Sequence, residues 1–228
     1  LTWPCLVIDA MQMKFSLQVL KDSAYILVVC LLILAIIFAI SFPVAKLIKL
    51  PKTKQYLTVF MLLFGNTGFI GIPVIKALYG TDAVFYAAIV ELINDILIFT
   101  VGILLIQLSA GANLKVGFKQ FINPGLIGVI IGLVLFLLNI QLPNLIGGSI
   151  EMIGNATTPL TMFCIGFQIG GLKFKEIAGD FQVYAICFVK LLIVPVLTLL
   201  VVKLWAGDFS MLEKVLIIGF AMPVGAVA

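Results

Sequence analysis

Apolar residues form long continuous runs along this chain, and short polar segments separate the runs. An α-helix needs roughly 20 apolar residues to cross the hydrocarbon core of a bilayer. Runs of that order fall near residues 25–48, 56–78, 83–107, 122–141, 149–170, 181–204 and 212–228. The pattern predicts an all-α polytopic membrane protein whose surroundings are the lipid bilayer.

The two ends of the chain fit this pattern incompletely. The apolar segment from Leu1 to Met13 is too short to span a bilayer, and the last run stops at Ala228 without a polar flank. We therefore expect a fragment that lacks a segment before Leu1 and another after Ala228.

Composition and charge agree with a membrane protein. The chain is 63% hydrophobic and 11% charged, whereas soluble domains carry about 25% charged residues. All 14 basic residues are lysines, and they concentrate near 46–55, 111–121 and 172–180. The positive-inside rule predicts that these loops are cytoplasmic. We expect a multi-pass protein of the plasma membrane, whose net charge of +4 reflects topology and gives no reason to expect a nucleic-acid partner.

Helix-breaking residues interrupt two of the apolar runs. The first interruption is the string Gly65-Asn66-Thr67-Gly68-Phe69-Ile70-Gly71-Ile72-Pro73, and the second is Ala221-Met222-Pro223-Val224-Gly225. Lipid offers no water to a freed backbone N–H or C=O, so such a break requires neighbouring helices or a protein-lined cavity. Paired breaks of this kind mark the solute site of secondary transporters.

The two breaks belong to a pattern that occurs twice. Pro4 and Pro159 each lie in an apolar segment, and each is followed by a long unbroken span and then by a broken one. An odd number of spans separates equivalent elements, so equivalent helices cross the membrane in opposite senses. We predict an inverted repeat, with a first repeat at 1–108, a short cytoplasmic linker at 109–121 and a second repeat at 122–228.

The residues around the first break resemble a known family. Gly65-Asn66-Thr67, followed by the string from Gly71 to Gly80, is similar to the fourth-span motif of the auxin efflux carrier family, within the bile acid/auxin transporter superfamily. The segments at 123–125 and 221–225 resemble the sixth and ninth spans. The resemblance implies a ten-helix carrier of small organic anions, of which this chain covers roughly spans two to nine. It implies two inverted five-helix units, with spans four and nine crossing at the midplane.

One departure from the family's plant members concerns the substrate. Their central loop is long and hydrophilic, whereas the corresponding segment here is short. The chain is more similar to prokaryotic members called malate or malonate permeases, so auxin is not the substrate that we expect. The family often forms dimers, and a homodimer is compatible with the sequence.

Six residues are candidates for binding the solute. The amide of Asn66 can donate to a carboxylate and accept from a freed N–H, and helices that start near Pro73 and Pro223 would direct positive dipole ends at an anion. The alternative is a packed kink in which Asn66 caps a helix end. Lys190, inside the eighth span, either pairs with Asp95, contacts the anion, or extends to the cytoplasmic interface. The predicted substrate-binding residues are Asn66, Gly71, Pro73, Asn155, Lys190 and Pro223.

Glu91, Asn94 and Asp95 share one face of the fifth span. An intramembrane acid costs roughly 2.5–3.5 kcal/mol on insertion scales and usually faces the protein interior. We predict that this face lines the cavity and binds a coupling H⁺ or Na⁺, and a structural hydrogen-bond network is the alternative. Cys5, Cys30, Cys164 and Cys187 lie in apolar runs, and the chain has no His. We expect no metal and no other cofactor.

These features favour a secondary transporter that works by alternating access, with the solute bound where the two broken helices cross. The sequence contains no Gly-rich phosphate loop ending in Gly-Lys-Ser/Thr, so ATP-driven pumping by this chain is not predicted. A channel or a receptor-like membrane protein is the alternative. An intramembrane enzyme is not expected, because no His is present as a base and the other aspartates fall at the edges of spans.

Overall fold

The computed structural model describes residues 2–111, 124–171, 181–206 and 209–225, and within these ranges the regular elements are helical. The α-helices are α1 (Thr2–Ala10), α2 (Leu17–Leu47), α3 (Lys52–Leu63), α4 (Ile72–Tyr79), α5 (Thr81–Leu97), α6 (Ile103–Ser109), α7 (Pro124–Leu137), α8 (Asn144–Asn155), α9 (Thr157–Gly170), α10 (Phe181–Phe188), α11 (Val194–Ala206) and α12 (Met211–Ala221). Three π-helical segments, Thr67–Gly71, Ile98–Gly102 and Val189–Ile193, lead directly into the α-helices that follow them.

Three continuous helices are long and apolar enough to cross a bilayer. They are Leu17–Leu47, Thr81–Ser109 and Phe181–Trp205, with 31, 29 and 25 residues. Shorter apolar helices cover Thr67–Tyr79 and Pro124–Leu137. These elements confirm the predicted all-α polytopic fold. The predicted linker at 109–121 lies mostly outside the described residues, and the predicted cytoplasmic segment at 172–180 lies wholly outside them.

The long helix α2 shows how these spans divide their surface between protein and lipid. Its N-terminus is capped by Ser16, whose hydroxyl accepts a hydrogen bond from the N–H of Val19 at 3.1 Å. Ile26, Ile33 and Ile37 recur at helical spacing and are buried. Large side chains on the opposite face, such as Leu31, are exposed. A helix of this kind packs on one stripe and presents the rest of its apolar surface to lipid.

Packing divides the described helices into two groups. In the first group, α1 lies between α7 and α8. In the second group, α2 packs on α3 and α5, α3 packs on α6, and α12 packs on α11 and α5. Contacts of α5 with α1 and α7 connect the groups.

Glycines set the close approach of α1 to its neighbours. A Cβ on Gly128 of α7 would lie 2.8 Å from the Cα of Pro4, and a Cβ on Gly154 of α8 would lie 2.9 Å from the Cα of Leu6. Both obstructing atoms belong to the backbone, so a side-chain rotation could not relieve the overlap. Small residues at helix contacts are the usual device for close packing in membranes.

The two broken spans meet through their backbones. α3 ends at Leu63, Phe64 is extended, and Gly65 forms an isolated antiparallel bridge with Val224. We call the pair of non-helical segments 64–66 and 222–225 the crossing. Because the bridge is antiparallel, the two spans enter the crossing from opposite sides, as an inverted repeat requires. The crossing of two broken helices is thereby confirmed, while the boundaries of the two repeats stay a prediction.

A pair of glycine variants on α8 tests the packing of α1. Gly154→Ala should lower the free energy of unfolding by about 1–3 kcal/mol, because the added methyl group overlaps the backbone of α1. The matched control is Gly148→Ala on the same helix, where a Cβ meets no atom within 4 Å. That variant should be neutral or stabilised by up to about 1 kcal/mol through helix propensity. The measurement is the thermal unfolding of both variants in detergent, and equal melting temperatures would contradict the packing described.

Candidate functional site

Each break at the crossing satisfies backbone groups that the other break frees. The N–H of Asn66 donates to the carbonyl oxygen of Pro223 at 2.7 Å. In return, the N–H of Gly225 donates to the carbonyl oxygen of Phe64 at 3.2 Å. Unpaired backbone groups are expensive in lipid, so each of these two breaks depends on the other.

Side chains satisfy further carbonyl groups of the first break. The Nδ2 group of Asn94 donates to the carbonyl oxygen of Gly65 at 3.3 Å. The Nζ group of Lys190 donates to the carbonyl oxygen of Leu62 at 2.9 Å. Asn94 and Lys190 are buried polar groups whose hydrogen bonds hold unwound backbone.

The helical part of the fourth span begins earlier than the sequence predicts. Helical structure resumes at Thr67 as a π-helical turn, and Asn66 is its N-cap, with Oδ1 accepting from the N–H of Phe69 at 3.1 Å. Pro73 lies inside this helix, where it offers no N–H, and the preceding π-helical turn accommodates the irregularity. The positive end of the helix is therefore at Asn66, and the expectation that it starts near Pro73 is corrected. The helix expected after Pro223 lies outside the described residues.

A buried polar chain connects α5 to this turn. The Nδ2 group of Asn94 donates to Oγ1 of Thr67 at 2.9 Å, and Oγ1 of Thr67 donates to Oε2 of Glu91. Thr67, Glu91 and Asn94 are all buried. Asp95 lies one turn further along α5, is partly exposed, and is within electrostatic reach of Glu91. The face of α5 that carries Glu91 and Asn94 therefore points at the crossing. Asn94 takes part in a structural hydrogen-bond network, which is the alternative to ion binding that the sequence left open.

Gly68 permits this arrangement. A Cβ at Gly68 would overlap the carboxylate of Glu91 and would lie 2.6 Å from Cη2 of Trp3. The ring of Trp3 packs in turn on Phe69, with centroids 5.2 Å apart. The candidate site residues predicted from the sequence do not include Thr67, Gly68 or Trp3. Thr67 and Gly68 were named only as members of the string that interrupts the first apolar run.

The cavity beside the crossing is small. Its volume is about 10 Å³, and Gly65, Thr67 and Asn94 contribute to its lining, together with Cys30 of α2. One water-sized group needs roughly this volume, whereas pockets for small molecules usually span about 300–1,000 Å³. A solute larger than water would therefore fit this cavity only if the helices that line it moved.

Of the remaining predicted residues, Gly71 lies beside the crossing and Asn155 does not. Gly71 packs against the other broken span, since a Cβ there would lie 3.3 Å from Cγ of Met222. Asn155 does not reach the crossing: it is exposed at the end of α8, and its Oδ1 accepts from Nζ of Lys76 on α4 at 2.9 Å. Ala156 interrupts the helix between α8 and α9, so the predicted single span at 149–170 is two helices.

Lys76, the partner of Asn155, lines a second, larger cavity. This cavity of about 320 Å³ lies between the ends of α1, α4 and α8, and its lining includes Lys76 with Asp9, Asp82 and Glu151. It lies between the two packing groups of helices. The Lys76–Asn155 hydrogen bond therefore connects the half-helix that leaves the crossing to the group that contains α1.

Crossed and broken helices within a bundle of apolar spans define a membrane transporter. The sequence profile of the membrane transport protein family matches residues 1–117 and 110–228. The chain therefore belongs to this family of auxin-efflux-carrier-like proteins, as its resemblance to them predicted. Comparison with curated proteins gives no match.

Substitution of Gly68 tests the geometry of the site. Gly68→Ala should break the contact between Glu91 and Thr67 and lower the free energy of unfolding by about 1–3 kcal/mol, because a methyl group has no room there. Gly219→Ala is the matched control, since a Cβ at Gly219 would meet Cγ1 of Val90 at an ordinary 3.6 Å. Thermal unfolding in detergent measures both. A Gly68→Ala protein as stable as the Gly219→Ala protein would contradict the geometry.

Proposed function

We propose that this protein is a secondary transporter of small organic anions that works by alternating access, with the anion bound at the crossing. The observation that carries the proposal is the reciprocal pairing of the two breaks, in which Asn66 and Pro223 share a backbone hydrogen bond. Carriers bind their solutes at discontinuous helices of this kind. A carrier, and not an enzyme, is the function that these residues support.

Anion binding follows from the polarity of the resumed helix. The helix Thr67–Tyr79 has its N-terminus at the crossing, where the N–H groups of the first turn and the helix dipole favour negative charge. Oδ1 of Asn66 already accepts from the N–H of Phe69. An incoming carboxylate oxygen can take this place, and the Asn66 amide can then rotate and donate to the anion.

The acidic residues of α5 are suited to binding the coupling ion. Glu91 contacts Thr67, which is the first residue of the helix that would hold the anion. Protonation of Glu91, or Na⁺ binding beside it and Asp95, would change the hydrogen bond that Thr67 donates. H⁺ and Na⁺ remain the two alternatives for the coupling ion, and neither is a resident cofactor.

The proposal includes an orientation in the membrane. We place the protein in the plasma membrane with the segments near 46–55, 111–121 and 172–180 on the cytoplasmic side. Lys46, Lys49, Lys52 and Lys54 are exposed around the connection between α2 and α3, which suits a cytoplasmic loop. The lipid bilayer and a small organic anion are its partners, a homodimer is the proposed assembly, and no nucleic acid is involved.

Counterflow in proteoliposomes tests the proposed transport. Labelled malate, malonate and indole acetate are offered to liposomes loaded with the same unlabelled anion. We expect counterflow of at least one dicarboxylate, and we expect Asn66→Ala to reduce it by about tenfold or more, because a buried hydrogen bond to a charged group is lost.

The matched control is Asn144→Ala, at an exposed position of α8. It should transport at the rate of the unsubstituted protein. Flux that does not depend on the trans anion, from folded protein, would contradict a carrier and favour a channel.

Acid substitutions on α5 test ion coupling. Glu91→Gln and Asp95→Asn should abolish anion accumulation driven by a gradient of H⁺ or Na⁺, because neither variant side chain can take up the ion as a carboxylate does. Exchange without a gradient should persist in at least one of the variants. Uptake is measured with each gradient imposed separately.

Asp22→Asn, at the outer end of α2, is the control for loss of a carboxylate elsewhere. It should leave the dependence on the gradient intact. If Glu91→Gln and Asp95→Asn both fold and keep the ion dependence of the unsubstituted protein, α5 does not bind the coupling ion.

A further inference from the structure

Lys190 is the most deeply buried charged side chain in the described part of the chain. It lies in the π-helical segment Val189–Ile193, within the continuous helix Phe181–Trp205, and its side chain is 1% exposed. A lysine that extended to the interface would be exposed at its end. Lys190 therefore keeps its ammonium group inside the protein.

The partner of this ammonium group is a carbonyl that the crossing itself frees. In an uninterrupted α-helix, the carbonyl oxygen of Leu62 would accept from the N–H of residue 66. Here the N–H of Asn66 donates to Pro223, and the carbonyl oxygen of Leu62 accepts from Nζ of Lys190 at 2.9 Å. Lys190 thus supplies the hydrogen bond that the carbonyl oxygen of Leu62 loses when Asn66 pairs with Pro223.

The charge of Lys190 also suits this position. Leu62 lies in the last turn of α3, and the C-terminus of a helix carries partial negative charge that a cation stabilises. Transporters with discontinuous helices use such C-terminal ends and unwound carbonyls to bind Na⁺ or H⁺. The ammonium donates to a backbone carbonyl and is buried, so among the described residues its partner is Leu62 and not Asp95, while the predicted contact with the solute stays a prediction.

We propose that Lys190 is a positioning residue whose ammonium group is a built-in cation at the C-terminal end of α3. It holds the first broken span in the geometry of the crossing, so that no inorganic cation is required at this end. The proposal rests on the proposed transport function only for its activity readout, since the contact itself can be tested by stability.

The experiment replaces the tethered cation by a soluble one. Lys190→Ala removes Cγ, Cδ, Cε and Nζ, which correspond in size and donors to n-propylammonium. We expect counterflow to fall by about tenfold or more, because a charge-assisted hydrogen bond is lost. Added n-propylammonium should restore part of it, and tetramethylammonium, which has no N–H donor, should not. The melting temperature of Lys190→Ala should rise with n-propylammonium in the same selective way.

Two further variants separate charge from side-chain volume. Lys190→Arg keeps a cationic donor and should retain most of the transport, whereas Lys190→Met keeps the length without the charge and should lose it. Lys203→Ala is the control, because Lys203 is exposed on the same continuous helix and should be insensitive to both substitution and added amines.

The outcomes distinguish this proposal from the proposed function. Transport by Lys190→Met at the unsubstituted rate would overturn the positioning role. Loss of transport in Lys190→Ala and Lys190→Arg, with unchanged melting temperatures and no rescue, would also overturn it and assign Lys190 to the solute. If the unsubstituted protein carries none of the anions, the proposed function fails, and the melting temperature of Lys190→Ala with and without n-propylammonium still decides the role of Lys190.

Discussion

The fold depends on one constraint, which is that a backbone polar group inside lipid must find its partner within the protein. Two interruptions of apolar helices would each leave N–H and C=O groups without partners. The antiparallel pairing of Gly65 with Val224 resolves both at once, because Asn66 donates to Pro223 and Gly225 donates to Phe64. The break in the first half of the chain is therefore stable only together with the break in the second half.

This pairing explains why several buried polar side chains lie at the crossing. An uninterrupted span satisfies its own backbone and needs few polar residues, since the buried stripe of α2 is apolar apart from Ser41, whose hydroxyl donates to Ile37 of the same helix. At the crossing, the backbone pairs do not use every freed group. Asn94 donates to the carbonyl of Gly65, and Lys190 donates to the carbonyl of Leu62. Polar side chains are therefore needed at these two buried positions, where apolar ones would otherwise suffice. Their insertion cost is offset by the hydrogen bonds that they complete.

Much of this arrangement could be predicted from the sequence, because Gly, Pro and Asn signal a break chemically. The strings around Asn66 and Pro223 identify both interruptions, and the periodicity of α5 identifies the face of Glu91 and Asn94. The start of the helix at Thr67 could not be predicted, since a π-helical turn has no distinct sequence pattern. The partner of Lys190 could not be predicted either, because any residue can offer a backbone carbonyl. Asn155 was expected near the crossing, but it ends α8 and pairs with Lys76, an interaction between distant residues that the pattern around Pro159 does not specify.

The two ends of the first break differ in what they can bind. At the C-terminal end of α3 the partial negative charge already faces the ammonium group of Lys190. At the N-terminal end of the following helix, the partial positive charge is met by the neutral amide oxygen of Asn66 and by the carboxyl group of Glu91, which accepts from Thr67. A neutral group compensates a positive helix end less than a carboxylate does. Uptake of a proton by Glu91 would leave this positive end with neutral partners alone, and the proposed anion would then neutralise it without any arginine in the chain.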